Sequence, residues 1–282
     1  MPDCAPNDVA MTDPLLPGPL WLAGCGNMAG AMLARWLEEG VDPAHVSVIR
    51  PSGAPAGPGV RVTTDWPEDE VPAIVLLGMK PHQLDLAAPG LAPILDAETI
   101  LVSILAGVEL ASLRARFERP RTIIRAMPNL PVRIGKGVVG LTSDSGDIAA
   151  KAIVTGLMAT LGHAEWLEDE AAFQLAGHLT GAGPAFLFRF IDALAAAAQR
   201  LGLPYDQAQR LALAMAEGAA ALAAVSNDDP ATLARKVASP GGTTQAGLEI
   251  LDADRALPDL VERALDAARR RGLEMAAAAR QD

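Results

Sequence analysis

Pro19-Leu20-Trp21-Leu22-Ala23-Gly24-Cys25-Gly26-Asn27-Met28-Ala29-Gly30-Ala31-Met32-Leu33-Ala34-Arg35-Trp36-Leu37 decides the fold. Pro19 to Ala23 is an apolar run of strand length, and it passes directly into glycine. From Asn27 the apolar residues recur at helical spacing until Gly40 stops them. A Gly-x-Gly-x-x-Ala turn between a strand and a helix is a form of the dinucleotide fingerprint. Gly24 makes the turn, and Gly26 lets a pyrophosphate approach the backbone beside Asn27 and Met28. Ala29 is small enough for helix and strand to pack. Such a turn implies an α/β Rossmann domain.

Working outward, Val46 to Ile49 is the second strand, and it ends in Arg50-Pro51-Ser52 rather than in an acid. A carboxylate there would bond a ribose 2′-hydroxyl, whereas a cationic fork beside a hydroxyl suits a 2′-phosphate. NADPH is the expected cofactor, with NADH the weaker alternative. Further strands are expected at Val60 to Val62, Ala73 to Leu77, Thr99 to Leu105, Arg121 to Met127 and Val138 to Thr142. Helices are expected from Pro81, over Glu109 to Phe117 and over Asp147 to Leu161. Strands alternating with helices imply a parallel sheet with ligands gathered beyond its strand ends. The residues falling there are Gly24 to Met28, Arg50, Met79-Lys80-Pro81, Ser103 to Gly107, and Met127 to Asn129.

From about Glu165 the strands are expected to cease. Pro184 to Leu201 is apolar on almost every side, and Pro204 to Val225 and Leu257 to Ala279 are further long helices rich in alanine. A helix without a polar face is buried in a large core or against another subunit. The expectation is an all-α helical dimerisation domain in which two copies interlock. Three regions follow: a disordered tail over 1–17, a Rossmann NADP-binding domain over 18–164, and a helical domain over 165–282. Met11 is a second candidate start within the tail.

One turn in the helical half has a chemistry of its own. Ser239-Pro240-Gly241-Gly242-Thr243-Thr244 precedes Gln245-Ala246-Gly247-Leu248. The proline and glycines end one helix, and the threonines open the next. Unpaired backbone N–H groups and the positive end of a helix dipole suit a carboxylate or phosphate there. Read alone, the turn is also an ordinary helix cap.

Composition excludes several classes. The formal net charge is −11 over 282 residues, against nucleic acid or an anionic membrane as partner. Cys4 and Cys25 are the only cysteines, so no disulfide framework is expected and a reducing cytoplasm fits. No uninterrupted run of 18 apolar residues occurs, no secretory leader pattern opens the sequence, and no metal-ligand set is assigned. Ketone reduction would need a proton donor, yet His178 and Lys236 are the only histidine and lysine after Glu165. His178 reads as a packing residue, and Lys236 as either a solvated helix residue or a charge beside the anion turn. An anionic substrate with a C=N bond fits a site of hydroxyls and backbone N–H groups better, because an iminium accepts hydride without a strong acid.

Several blocks together resemble the pyrroline-5-carboxylate reductase family. They are Gly24 to Met28, the Ser103-x-x-Ala106-Gly107 strand end and Arg125-Ala126-Met127-Pro128-Asn129. Gly183-Pro184-Ala185-Phe186-x-Phe188-x-x-Ile191-Asp192-Ala193-Leu194 and the Ser239–Leu248 segment complete the set. The resemblance runs from residue 19 to about 275. It implies reduction of 1-pyrroline-5-carboxylate to L-proline, the last step of proline synthesis, by a dimer with exchanged helices that often assembles into rings. It implies that Ser239 and the N–H groups of Gly242, Thr243 and Thr244 hold the substrate carboxylate. The Thr244 hydroxyl then meets the ring nitrogen, so Ser239 and Thr244 are the candidate catalytic pair. Asn27 and Met28 line the pyrophosphate, and Lys80 and Pro81 border the adenosine half, with Met79 beside them among the cofactor residues. The Arg50-Pro51-Ser52 turn varies among relatives, so Arg50 and Ser52 are assigned to the 2′-phosphate from charge alone. Ala106, with Met127 and Asn129, flanks the nicotinamide and the pyrroline ring. The chain has Thr180-Gly181-Ala182-Gly183-Pro184 where the family usually has Ser-Gly-Ser-Gly-Pro. Two other readings are a β-hydroxyacid-type dehydrogenase and a non-catalytic NADP-binding protein. The first would want a lysine between Phe186 and Leu201, and none occurs. The second has no use for the Ser239–Thr244 turn.

Overall fold

A computed structural model describes residues 15–278 of the chain. The expected tail lies outside the described residues up to residue 14. Its last part is no tail, because Leu16 is buried against the sheet core.

The strands are β1 (Leu20–Ala23), β2 (Val46–Ile49), β3 (Arg61–Thr63), β4 (Ile74–Leu77), β5 (Ile100–Ser103), β6 (Thr122–Pro128), β7 (Gly137–Ser143) and β8 (Gly162–Trp166). They form one sheet in the order β3-β2-β1-β4-β5-β6-β7-β8. The order reverses between β1 and β4, the switch point of a doubly wound sheet. Four helices lie between these strands: α1 (Asn27–Glu38), α2 (Leu84–Leu91), α3 (Leu110–Arg116) and α4 (Ile148–Ala159). Alternate strand residues serve opposite faces. Leu20 and Leu22 pack with Met32, Leu33 and Trp36 of α1 and Val154 and Leu157 of α4. Trp21 and Ala23 pack with Leu84 and Leu91 of α2 and Leu113 of α3. Burial on both faces is why these strands read as unbroken apolar runs.

Two expectations need correcting. The sheet is not wholly parallel, since β7 runs antiparallel to β6. The segment between them holds only a short 3-10 helix, Leu130–Ile134, and a parallel return needs a crossover of a dozen residues or more. Strands also continue past the expected limit: β8 pairs parallel with β7 through α4. Its Gly-His-Ala-Glu-Trp sequence alternates between half-buried and exposed at the sheet edge, so it carries no apolar run to announce it.

The chain divides into two compact units, the first reaching Gly181 and the second spanning Ala182–Glu274. The division falls inside α5 (Glu170–Arg200), later than the change of period near Glu165. The first part of α5 belongs to the sheet, with Phe173 fully buried. The second unit contains the rest of α5, then α6 (Tyr205–Val225), α7 (Pro230–Val237), α8 (Thr243–Asp252) and most of α9 (Ala256–Ala278). α5 and α6 form an antiparallel hairpin turned at Gly202, whose φ is 113°. Their seam is built of Ala195, Ala208 and Ala212, small enough for close approach. Large apolar residues stay outside it: Phe186, Phe188 and Phe190 on α5, and Leu211, Leu213 and Met215 on α6 are all more than a third exposed.

Candidate active site

A cleft of about 860 Å³ opens at the switch point of the sheet. Gly24, Gly26, Asn27 and Met28 line it from the β1–α1 turn, and Arg50 and Ser52 from the end of β2. Met79, Lys80 and Pro81 line it from the end of β4, and Ala106 from the segment after β5. All ten expected cofactor residues therefore share one crevice. They do so because each stands just past the C-terminal end of a parallel strand.

The local chemistry fits a dinucleotide. Gly24 has φ 86°, and a Cβ there would come within 2.8 Å of the Met79 backbone, so the β1 and β4 turns pack directly on each other. Gly26 is different. A Cβ there would meet nothing within 4 Å, so its bareness serves no contact inside the protein. Gly26 is also the N-cap of α1 and offers no side-chain cap, leaving the first-turn N–H groups of α1 for an anion. At the far end the Arg50 guanidinium donates to the Cys25 carbonyl at 3.4 Å, the Pro55 carbonyl at 2.5 Å and the Ala54 carbonyl. Its Nε is buried without a hydrogen-bond partner. Neutral carbonyls fix the fork in place without cancelling its charge. Burial pushes the nearby Cys25 thiol up, partly offset by Arg50.

Residues not expected from the sequence complete the lining, among them Thr64, Trp66, Gln83 and Leu86. Trp66 stacks on Trp21, with ring centroids 6.4 Å apart, and Trp21 Nε1 donates to Glu70 at 2.8 Å. Leu86 is 87% exposed at the wall of the cleft. The tryptophan in Asp65-Trp66-Pro67 was the available sequence signal.

Met127 and Asn129 do not line this cleft. Met127 stands on β6, on the same side as Arg125, and Asn129 directly follows the strand as the N-cap of the 3-10 helix; all three meet the first part of α5. The Arg125 guanidinium pairs with Glu170 at 3.2 Å and lies 4.6 Å above the Phe173 ring. The Met127 sulfur occupies the space a side chain on Gly177 would need. Asn129 is 7% exposed; its Oδ1 accepts from the Val138 N–H at 2.8 Å, and its Nδ2 donates to the Thr180 carbonyl at 3.0 Å.

In the helical unit, Ser239, Gly242, Thr243 and Thr244 form the turn between α7 and α8. Gly242 is the N-cap of α8, again without a side-chain cap. Gly241 has φ 70° and its N–H donates to Gln245 Oε1 at 2.9 Å. Ser239 closes the turn, accepting from the Gly242 N–H at 2.9 Å, and a Cβ on Gly242 would lie 2.5 Å from Ser239 Oγ. Ser239, Thr243 and Thr244 are exposed. Lys236 is paired with Asp228, which leaves its charge spent away from the turn.

A sequence model of pyrroline-5-carboxylate reductase dimerisation matches residues 170–275. A pyrroline-5-carboxylate reductase from Pseudomonas aeruginosa is 36% identical over 263 residues, covering 90% of this chain and 95% of that protein. The chain belongs to the pyrroline-5-carboxylate reductase family. A Synechocystis relative of the same name is 35% identical over 266 residues, covering 91% of this chain and 97% of its own. The structure of a pyrroline-5-carboxylate reductase from Coxiella burnetii superposes with a TM-score of 0.84 at 30% identity, over 91% of this chain and 98% of that one. Membership explains the apolar surface of α5 and α6. Both helices are long and apolar enough to cross a membrane by length and composition, yet they lie wholly within the matched dimerisation region. Arg189 and Asp192 on α5, and Arg210 and Glu217 on α6, interrupt the apolar surface.

Proposed function

We propose that NADPH binds along the Gly24–Ala106 cleft and that the Ser239–Thr244 turn holds the substrate while 1-pyrroline-5-carboxylate is reduced to L-proline. The observation that carries this reading is the uncapped, unfilled glycine at Gly26, where a backbone cradle stands ready for an anion. In it, the α1 N-terminus with Asn27 and Met28 holds the pyrophosphate. Arg50 and Ser52 take the 2′-phosphate, which is why NADPH is preferred over NADH. Lys80, Pro81 and the Trp66 face border the adenosine, and Ala106 borders the nicotinamide. Bound there, the reduced nicotinamide supplies hydride to the carbon of the C=N bond.

The chain's own groups do the rest. Ser239 and the N–H groups of Thr243 and Thr244 fix the carboxylate at the positive end of α8, while the Gly242 N–H, expected to join them, is already given to the Ser239 carbonyl and closes the turn. The Thr244 hydroxyl hydrogen-bonds the ring nitrogen as it becomes an amine. No strong acid is required, because the iminium nitrogen is already protonated when its carbon accepts hydride.

The apolar faces of α5 and α6 are assigned to a second copy rather than a bilayer, with rings of dimers as the larger assembly and the cytoplasm as the setting. Oxidation of NADPH with the pyrroline, repeated with NADH, tests the reaction and the cofactor together. Faster turnover with NADPH supports both, and equal rates would reject the 2′-phosphate assignment. Light scattering of the purified protein tests the assembly.

A further inference from the structure

Pro184 lies inside α5, four residues after Thr180. In a helix the carbonyl of residue 180 accepts from the N–H of residue 184, and proline has none. The Thr180 carbonyl is therefore left without its helical donor, and Asn129 Nδ2 donates to it at 3.0 Å. The amide cannot be turned round. Its Oδ1 accepts from the Val138 N–H at 2.8 Å, and only the NH₂ end can serve a carbonyl. Asn129 thus joins the start of β7 to α5 at the one carbonyl that the helix has released.

We propose that Asn129 is a positioning residue for the reductase reaction, standing in for the N–H that Pro184 lacks and fixing the point at which α5 leaves the sheet. This rests on the reductase reading and replaces the expectation that Asn129 touches the substrate. The location gives the bond its consequence. Arg125, Met127 and Asn129 meet α5 at Glu170, Gly177 and Thr180 in turn, and Asn129 makes the last of these contacts. The first compact unit ends one residue later, at Gly181, and α5 continues into the unit that carries the Ser239–Thr244 turn. Hydride transfer tolerates little misplacement of donor and acceptor, with about 1 Å costing on the order of 100-fold. A loosened joint should therefore act on turnover and leave cofactor binding alone.

The experiment uses the full chain with Asn129→Asp, Pro184→Ala and the double variant. Asn129→Asp keeps the acceptor for Val138 and removes the donor to Thr180. Asn129→Asp should lower kcat roughly tenfold or more with little change in the KM for the pyrroline or in NADPH affinity. It should also speed amide exchange across residues 178–183. In the double variant, Pro184→Ala restores the missing helical N–H, so exchange protection should recover in part, while kcat should fall no lower than in Asn129→Asp because the Asn129–Thr180 bond is already gone. A rise in pyrroline KM without rescue would make Asn129 a substrate ligand and overturn the proposal. Strictly additive losses in kcat and exchange would overturn it as well. Should Asn129→Asp fail to fold, Pro184→Ala alone still decides. It should weaken the Asn129–Thr180 bond and lower kcat, and unchanged kcat would reject the joint.

Discussion

Arg125 Nη1 lies 3.2 Å from Glu170 Oε1, tying the middle of β6 to the first turn of α5 with the arginine side chain only 3% exposed. The same carboxylate oxygen accepts from the Leu110 N–H at the start of α3, at 2.8 Å. One side chain thus holds three elements. Removing it leaves a buried guanidinium with no counter-charge, a loss that costs about 3 kcal/mol or more. Glu170→Ala should therefore lower the denaturation midpoint well beyond the effect of a surface charge deletion. Arg125→Met, which leaves no buried charge behind, should cost less. Equal midpoints for Glu170→Ala and wild type would disprove the account.

The two glycines of the β1–α1 turn should separate stability from binding. Gly24→Ala places a Cβ against the Met79 backbone in a left-handed conformation, so about 1–2 kcal/mol of backbone strain adds to the clash. Gly26→Ala meets only open space, so its melting temperature should stay near wild type while NADPH affinity falls about tenfold. Thermal melts and cofactor titration of both variants check the pair.

Arg50→Glu should weaken NADPH by about 10- to 100-fold, the scale of a charged hydrogen bond, and weaken NADH much less. Equal losses for the two cofactors would show that the guanidinium serves only the carbonyls of Ala54 and Pro55.

Thr244→Ala should lower kcat/KM for the pyrroline by about tenfold, as expected for one lost hydrogen bond, with NADPH affinity unchanged. Unaltered kinetics would remove Thr244 from the site.

Asp147 caps α4 by accepting from the Ala150 N–H at 3.0 Å and pairs with Arg121. Those contacts hold its carboxyl below the usual carboxylate range. A lowered folded value means stability that is present above the unfolded value, about 3.9, and lost as pH falls through the lowered one. Asp147→Asn keeps a cap but cannot titrate. Wild type should melt higher at pH 7, and the two curves should converge below about pH 4.

The sequence by itself determined the cleft at the switch point of the sheet. Its residues sit at the ends of consecutive strands, and a parallel sheet brings strand ends together whatever the loops do. The Gly-x-Gly-x-x-Ala turn, the arginine closing β2 and the Gly-Gly-Thr-Thr helix start are local features, legible because backbone geometry fixes them within a few residues. β8 escaped notice because a polar edge strand has no apolar period, and its pairing is decided by a neighbour far along the chain. Asn129 shows the same limit more sharply. Its sequence context fits a substrate ligand, while the fold commits both ends of its amide, because a proline 55 residues later leaves a carbonyl in need of a donor. Local pattern records what a segment can form. Only the packed structure decides which polar atoms are already satisfied, and therefore which remain to bind or react.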